Sequence, residues 1–257
     1  MNLFKRLYKY REFLKTNIKK DIRGKYKKSF LGVFWSFLNP LLSLVVYATI
    51  FPMILKSSEA NYTMFLMTAL IPWTFFTSSI TLGSFCMIAN GDLLKKVYFP
   101  REIIPISTVT SCLINFLIST IIVIVFLFIS GIGLSWYILY YPLIVLIQYI
   151  FLLGAGFILS SVTVFVRDLE HIITVIIMAL FYGTPIVYSL SSIPSQFAFF
   201  IGLNPMSTIV MSYRDILYYQ QTPNLMNLMY VGIFSVVILI LGYFIFNKLQ
   251  RKFAEEF

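Results

Sequence analysis

The sequence predicts an all-α membrane protein with about six transmembrane helices, and three observations support this fold class. Of the 257 residues, 59% are hydrophobic and only 12% are charged, whereas soluble domains carry roughly 25% charged residues. Several apolar runs reach the ~20 residues that a helix needs to cross a bilayer. Lysine and arginine are concentrated in a few segments between those runs. Most of the chain is therefore expected to be surrounded by lipid.

The first segment, residues 1–28, is expected to be a basic amphipathic helix that does not cross the membrane. Residues 3–28 hold eleven of the twenty lysine and arginine residues. Such a helix should lie in the membrane interface, with its basic residues near anionic headgroups. A solvated basic tail is the alternative. The interfacial helix is favoured by apolar residues that recur at spacings of three or four and so share one helix face: Leu3, Leu7, Tyr10, Leu14 and Ile18.

The remaining chain, residues 29–257, is expected to form one six-helix transmembrane domain. Pro72 and Pro185 fall inside expected spans and should bend or break their helices. Residues 191–223 contain apolar pieces too short to cross, which suggests re-entrant or interfacial helices. The expected spans cover residues 30–55, 62–89, 103–129, 136–166, 172–190 and 225–246.

Small residues indicate where the helices pack closely, and basic residues indicate how the protein is oriented in the membrane. Gly154 and Gly156 are available for close helix contact. With the N terminus in the cytoplasm, only Lys56 and Arg214 among the lysines and arginines fall on the outer side. This asymmetry predicts a bacterial cytoplasmic (inner) membrane protein with both termini in the cytoplasm.

Several kinds of chemistry are disfavoured by what the spans contain. None of the six expected spans holds Asp, Glu, Lys, Arg or His, which argues against a proton-driven pump, although a sodium site built from backbone carbonyls stays open. The sequence has no Gly-x-x-x-x-Gly-Lys-[Ser/Thr] phosphate loop, so the chain is not expected to hydrolyse ATP or to bind a cofactor itself. No Cys/His metal spacing occurs. Cys86 and Cys112 are expected to be small buried hydrophobes, and His171 a polar surface group.

The pattern Lys-Tyr-x-x-Ser-x-Leu-Gly-x-x-Trp-x-x-x-x-Pro begins at Lys25 and ends at Pro40. It resembles the start of the membrane subunits of ABC-2 type polysaccharide exporters, which have arginine at the first position. Four further segments resemble motifs of the same families in the same order: residues 95–102, 164–172, 184–188 and 203–206.

This resemblance implies a half-transporter that pairs with a second copy of itself. Two separate ATP-binding cassette subunits would dock on it and bind the ATP and Mg²⁺. The cargo would be a lipid-linked glycan such as O-antigen, teichoic acid or a capsule-type polymer, and no nucleic-acid partner is expected. The first and fifth spans would form the surface between the copies. An ABC-2 permease for a drug, small lipid or heme, an intramembrane enzyme of lipid-linked sugar metabolism, and a channel remain alternatives.

A path for sugar should be lined by aromatic rings, because the C–H faces of pyranoses stack on electron-rich ring faces. Aromatic residues make up 18% of the chain. Packing and interfacial belts are the alternative explanation for them. The residues expected to line a channel are Phe30, Phe34, Trp35, Phe37, Tyr47, Trp73, Phe181 and Tyr188.

The charged segment around residues 91–102 is expected to couple the chain to the ATPase. Its apolar residues would be costly to leave in water, which suggests docking into a groove of a partner. An ordinary positively charged loop is the alternative. Arg167 and Asp168 would form a second, smaller contact or pair locally. The main coupling residues are Asp92, Lys95, Lys96, Val97, Tyr98, Phe99, Pro100, Arg101 and Glu102.

An outer gate is expected near residues 203–206, the last of the segments that resemble the exporter motifs. Because unpaired buried charge is expensive, Arg214 and Asp215 should lie in a wet outer vestibule. The expected gate residues are Asn204, Pro205, Tyr213, Arg214 and Asp215.

Overall fold

The computed structural model describes residues 3–24, 35–55, 61–190, 194, 196 and 201–253. These ranges contain helices and connections but no β-strand. Short 3₁₀ helices cover Trp136–Tyr140 and Gln250–Lys252, and a π-helical turn covers Asp215–Tyr219. The α-helices are α1 (Leu3–Lys9), α2 (Arg11–Gly24), α3 (Trp35–Leu55), α4 (Tyr62–Ala89), α5 (Gly91–Lys96), α6 (Ile103–Ile129), α7 (Tyr141–Thr163), α8 (Leu169–Tyr182), α9 (Pro205–Arg214) and α10 (Leu225–Leu249).

Four helical segments within the described ranges are long and apolar enough to cross a membrane. They are Tyr62–Ala89, Ile103–Ile129, Trp136–Thr163 and Leu225–Lys252. The all-α class and the multi-pass membrane character are thereby confirmed, and the second and third spans have the predicted bounds. A shorter apolar stretch of α3, Leu38–Ile50, and the helix α8 accompany them. The count of six spans stays a prediction.

The predicted fifth span, residues 172–190, is wrong in its extent. Helix α8 has 14 residues and ends at Tyr182, so at 1.5 Å per residue it is about 21 Å long, against ~30 Å for a bilayer core. Turns follow through Pro185, which has no backbone N–H to continue a helix. The predicted fourth span differs less, since its first turn is 3₁₀ and α7 ends at Thr163.

Pro72 does not end α4, which is continuous from Tyr62 to Ala89. Gln148 of α7 is fully buried and donates a hydrogen bond from Nε2 to the carbonyl oxygen of Pro72 at 2.9 Å. The hydroxyl of Tyr213 in α9 donates to Gln148 Oε1 at 3.1 Å. A buried amide therefore links α4, α7 and α9 in the middle of the apolar core.

The N-terminal and C-terminal segments meet at one end of the bundle. We call this the basic end; it comprises α1, α2, α5 and residues 97–102 and 248–253. Arg6 forms an ion pair with Glu102 at 3.1 Å and donates to the Tyr243 hydroxyl at 2.9 Å. The rings of Phe13 and Phe99 lie 4.7 Å apart. The N-terminal segment is thus part of the folded core.

The predicted N-terminal helix is two helices, α1 and α2, separated at Tyr10. Tyr10, Leu14 and Ile18 from the predicted apolar stripe are half-buried, and Asn17 beside them is buried. Part of this stripe therefore packs against the chain itself. Its place in a membrane interface stays a prediction.

Candidate functional site: a polar and aromatic groove and a basic docking face

A groove lined by hydroxyls, amides and aromatic rings runs along the contact between α3 and α4. We call it the α3–α4 groove. It consists of two adjoining cavities of ≈ 170 Å³ and ≈ 230 Å³ that share Ser43, Thr74 and Ser78. The first, toward α6, is also lined by Trp35, Asn39, Pro40, Phe75, Cys112, Asn115, Phe116 and Ser119. The second, toward α8, is also lined by Tyr47, Leu70, Trp73, Thr77 and Phe181.

Three of the predicted channel aromatics form one cluster in the second cavity. The ring of Phe181 lies 5.6 Å from that of Tyr47 and 5.8 Å from that of Trp73. Such spacings are typical of stacked and edge-to-face aromatic pairs. Helices α3, α4 and α8 each contribute one ring, so the cluster exists only in the folded bundle. It offers rigid apolar faces beside the hydroxyls of the groove.

The other predicted channel residues fall into two groups. Trp35 lines the first cavity. Tyr188 is half-buried outside the groove and donates its hydroxyl hydrogen to the Tyr182 carbonyl oxygen at 2.7 Å. Phe30, Phe34 and the side chain of Phe37 lie outside the described residues.

The polar lining was missed by the sequence interpretation, which considered only aromatic rings as channel lining. Hydroxyls of the groove also bond to their own helix, since Thr74 Oγ1 donates to the Ile71 carbonyl oxygen at 2.8 Å. The amides of Asn39 and Asn115 are the signal that could have revealed the groove, because amides are costly in lipid-facing positions. Amides and hydroxyls together can exchange hydrogen bonds with a hydroxyl-rich ligand.

At the end of the bundle opposite the basic end, two of the segments that resemble exporter motifs lie in direct contact, namely residues 184–188 and 203–206. Asn204 Nδ2 donates to Thr184 Oγ1 at 2.9 Å, and Asn204 Oδ1 accepts from the Met206 backbone N–H at 3.0 Å, capping α9. The Tyr62 hydroxyl donates to the Val187 carbonyl oxygen at 2.7 Å. The turn at residues 184–188 is therefore held by α4 and α9.

Arg214 completes this contact and is not in the wet vestibule that was predicted. Its side chain is 3% exposed. Nη2 donates to the Ile186 carbonyl oxygen at 2.9 Å, and the guanidinium lies 3.6 Å from the centroid of the Phe65 ring. A cation over a ring in a desolvated site can contribute about 2 kcal/mol. Arg214 thus positions the turn from inside the protein.

The two neighbouring residues of the predicted gate differ from each other. Tyr213 is fully buried and belongs to the Gln148 contact. Asp215 is half-buried, its carboxylate accepts a hydrogen bond from Gln221 Nε2 at 2.7 Å, and burial raises its pKa above the ordinary value. Pro205 begins α9. These residues form a packed unit, and their role in gating stays a prediction.

The predicted coupling segment has one exposed side and one buried side. Helix α5 is followed by Val97, which is half-exposed, and Tyr98, which is 97% exposed. Asp92, Lys95 and Lys96 are also exposed. These five side chains form the exposed part of the predicted coupling segment, which we call the predicted docking face.

Phe99 and Glu102 are corrections to the predicted coupling surface. Phe99 packs against Phe13 in the core of the basic end, and Glu102 is 1% exposed in its ion pair with Arg6. Neither side chain can reach a partner without unfolding this end. Arg101 donates from Nη1 to the Gln250 carbonyl oxygen, and Pro100 beside it is half-buried. Arg167 and Asp168 are exposed, as a second contact requires.

Within the described ranges, no three His, Cys, Asp or Glu residues converge on a possible metal position. Cys86 and Cys112 are buried, as predicted. His171 is exposed at the start of α8, as predicted.

Comparison with known proteins identifies the family of this chain. Residues 12–218 match the model of a family described as ABC-2 type transporter. An O-antigen export system permease protein of Klebsiella pneumoniae is 40% identical over 238 residues, covering 92% of this chain and 91% of the relative. One with the same name from Myxococcus xanthus is 34% identical over 258 residues, covering 100% and 99%. A polysialic acid transport protein of Escherichia coli is 23% identical over 234 residues, covering 87% and 88%. The chain belongs to the ABC-2 type transporter family.

Proposed function

We propose that this chain is the membrane-spanning permease subunit of an ABC transporter that exports a lipid-linked polysaccharide of the O-antigen type. The α3–α4 groove carries the proposal, because it places aromatic faces beside hydroxyls and amides, with no Asp, Glu, Lys, Arg or His among the described residues of its lining. Sugar rings offer C–H faces for stacking and hydroxyls for hydrogen bonds. The names of the relatives, O-antigen export permease and polysialic acid transport protein, support this class of cargo.

Energy would enter through separate ATPase subunits, which would hold the ATP and Mg²⁺. The docking face of α5, Val97 and Tyr98 supports this step, since a tyrosine that is almost wholly in solvent is a typical anchor for a protein partner. Lys95 and Lys96 would set the register against acidic groups of the ATPase. The positive-inside rule predicts that this face lies in the cytoplasm of the producing cell.

A second copy of the chain would complete the conduit. Helices α3 and α8, which flank the groove, both expose apolar faces that the described chain leaves uncovered. A C2 pair built on these helices would contribute the same groove twice around one axis. The exposed residues are Leu42, Val45, Val46 and Ile50 of α3 and Ile172, Val175, Ile176, Met178 and Tyr182 of α8.

The deciding experiment is deletion of the gene in its host, followed by localisation of the glycan by extraction and immunoblotting. We expect loss of the surface polymer and accumulation of its lipid-linked form inside the cell. The wild-type chain should restore export, whereas Tyr47→Ala/Trp73→Ala should leave the polymer inside while the ATPase still co-purifies. Unchanged surface glycan in the deletion strain would refute the proposal.

A further inference from the structure

A further cavity, of ≈ 490 Å³, opens at the basic end between α1 and the end of α10. We call it the basic cleft. It is separate from the α3–α4 groove and shares no lining residue with it. Its lining residues are Arg6, Lys9, Tyr10, Tyr98, Phe99, Pro100, Arg101, Glu102, Gln250 and Arg251.

The lining of the cleft has an excess of positive charge. Four cations stand against one carboxylate, Glu102, and that carboxylate is already paired with Arg6 at 3.1 Å. Arg101 is held in place by the Gln250 carbonyl oxygen and lies 5.9 Å from the Phe253 ring centroid. Lys9 and Arg251 are exposed at the mouth. A preorganised guanidinium flanked by two further cations is suited to a phosphate group.

The surroundings of the cleft indicate that this phosphate belongs to a lipid. The last turns of α10 lead from an exposed apolar face directly to the cleft: Val237, Ile240, Leu241 and Phe244 are exposed. Arg251 follows Phe244 by seven residues, which is about two helical turns, so it continues roughly the same side of the helix. Hydrocarbon beside that face and a phosphate in the cleft would belong to one amphipathic ligand.

We propose that the basic cleft is a binding site for a lipid-borne phosphate. Two ligands share this chemistry, namely an anionic phospholipid headgroup and the diphosphate that joins a polyprenyl carrier to its glycan. The second source rests on the proposed function, and the first does not. Binding in the basic cleft would hold α1 against the end of α10. It would also hold the part of the cleft lining that contains Tyr98.

The test is lipid binding to the purified complex of this chain with its ATPase subunits, measured by native mass spectrometry during titration. The probes are phosphatidylglycerol, a polyprenyl diphosphate and phosphatidylcholine. The variant Lys9→Gln/Arg251→Gln alters only exposed side chains of the cleft. The matched control, Lys19→Gln/Lys248→Gln, removes the same charge from exposed positions that do not line the cleft.

We expect the cleft variant to weaken phosphatidylglycerol or polyprenyl diphosphate binding by about tenfold, and the control by less than about twofold. Preference for phosphatidylglycerol would assign the site to a membrane phospholipid, and preference for the diphosphate would assign it to the carrier. Equal weakening by both variants would overturn the proposal. Loss of the ATPase from the cleft variant, with lipid binding unchanged, would also overturn it and make the cleft a protein-docking site.

The phospholipid arm separates this proposal from the proposed function. A protein that exports its glycan normally can lack phosphatidylglycerol binding, and a protein that exports another cargo can bind phosphatidylglycerol. Export in the deletion strain therefore tests the function, and the titration tests the cleft.

Discussion

Gly154 of α7 and Gly242 of α10 face each other at a distance that only glycine allows. A β-carbon on Gly154 would lie 2.6 Å from the Leu239 backbone nitrogen and 2.7 Å from the Ile238 carbonyl carbon. A β-carbon on Gly242 would meet the Gly154 carbonyl oxygen. Because lipid gives helices no hydrophobic reason to associate, close backbone packing of this kind is a main source of their stability.

Gly154→Ala should therefore lower the stability of the bundle by about 1–3 kcal/mol, the cost of overpacking a tight contact. Thermal unfolding of the detergent-purified protein measures this. Gly202→Ala is the matched control, since a β-carbon there has no neighbour within 4 Å. Equal melting temperatures for the two variants would contradict the contact.

Tyr98 and Phe99 should separate coupling from folding. Tyr98→Ser changes a side chain that is 97% exposed, so we expect normal folding but loss of ATPase co-purification. Phe99→Ser removes a ring packed on Phe13 and should destabilise the basic end by about 3 kcal/mol. Pull-down and thermal unfolding of both variants distinguish the two roles. Loss of ATPase binding in Phe99→Ser alone, with full stability, would reverse this assignment.

The aromatic cluster in the α3–α4 groove should act on transport more than on assembly. Tyr47→Ala leaves Phe181 without the ring that lies 5.6 Å away, and we expect surface glycan to fall severalfold while the amount of membrane-inserted protein changes little. Tyr230→Ala is the control, because Tyr230 is exposed on α10, which contributes no residue to the lining of the groove. Immunoblots of glycan and tagged protein provide both numbers. A parallel loss of glycan and protein would mean that Tyr47 only packs.

The sequence predicted those parts of the fold that are determined locally. The bounds of α4 and α6 were correct because polar residues interrupt the apolar pattern at both ends. The end of α8 was missed because hydropathy continues past Tyr182 although Pro185 prevents a helix from doing so.

The site was predictable only in part, since several of its contacts join distant segments. Composition pointed to Tyr47, Trp73 and Phe181 individually, but nothing local shows that they converge. The same limit applies to Gln148, whose partners Pro72 and Tyr213 lie 76 and 65 residues away. Phe99 was assigned to a docking surface because its burial depends on Phe13 in another helix.

Asp21 should make the stability of the contact between α2 and α6 depend on pH. Thr108 Oγ1 of α6 donates to its carboxylate at 3.4 Å, and burial raises the Asp21 pKa above its ordinary value of 3.8 despite the charge of Lys20. A raised pKa in the folded state favours the protonated form, so this group's contribution is largest at low pH and is lost as pH rises through the folded pKa.

Asp21→Asn removes this ionisation cost, so the variant should melt at a higher temperature than the wild type near neutral pH. The difference should shrink as the pH is lowered. Thermal unfolding across pH measures it, with the exposed Asp92→Asn as control. A wild type that is more stable than Asp21→Asn at neutral pH would show that the ionised carboxylate is favourable there.

Variants of Arg214 should distinguish a gating role of this residue from a packing role. Arg214→Ala would leave the Ile186 carbonyl oxygen without this donor and remove the cation from the Phe65 ring, so we expect loss of folded protein. Arg214→Lys keeps the charge but not the planar guanidinium. If Arg214 gates, this variant should assemble with its ATPase and export severalfold more slowly per folded molecule. Tyr62→Phe, which removes the hydroxyl bonded to Val187 in the same turn, should have a smaller effect of the same kind. Export that falls only in proportion to folded protein in both variants would establish that the turn at residues 184–188 is a structural support, because a gate must change the rate of transport in molecules that are fully assembled.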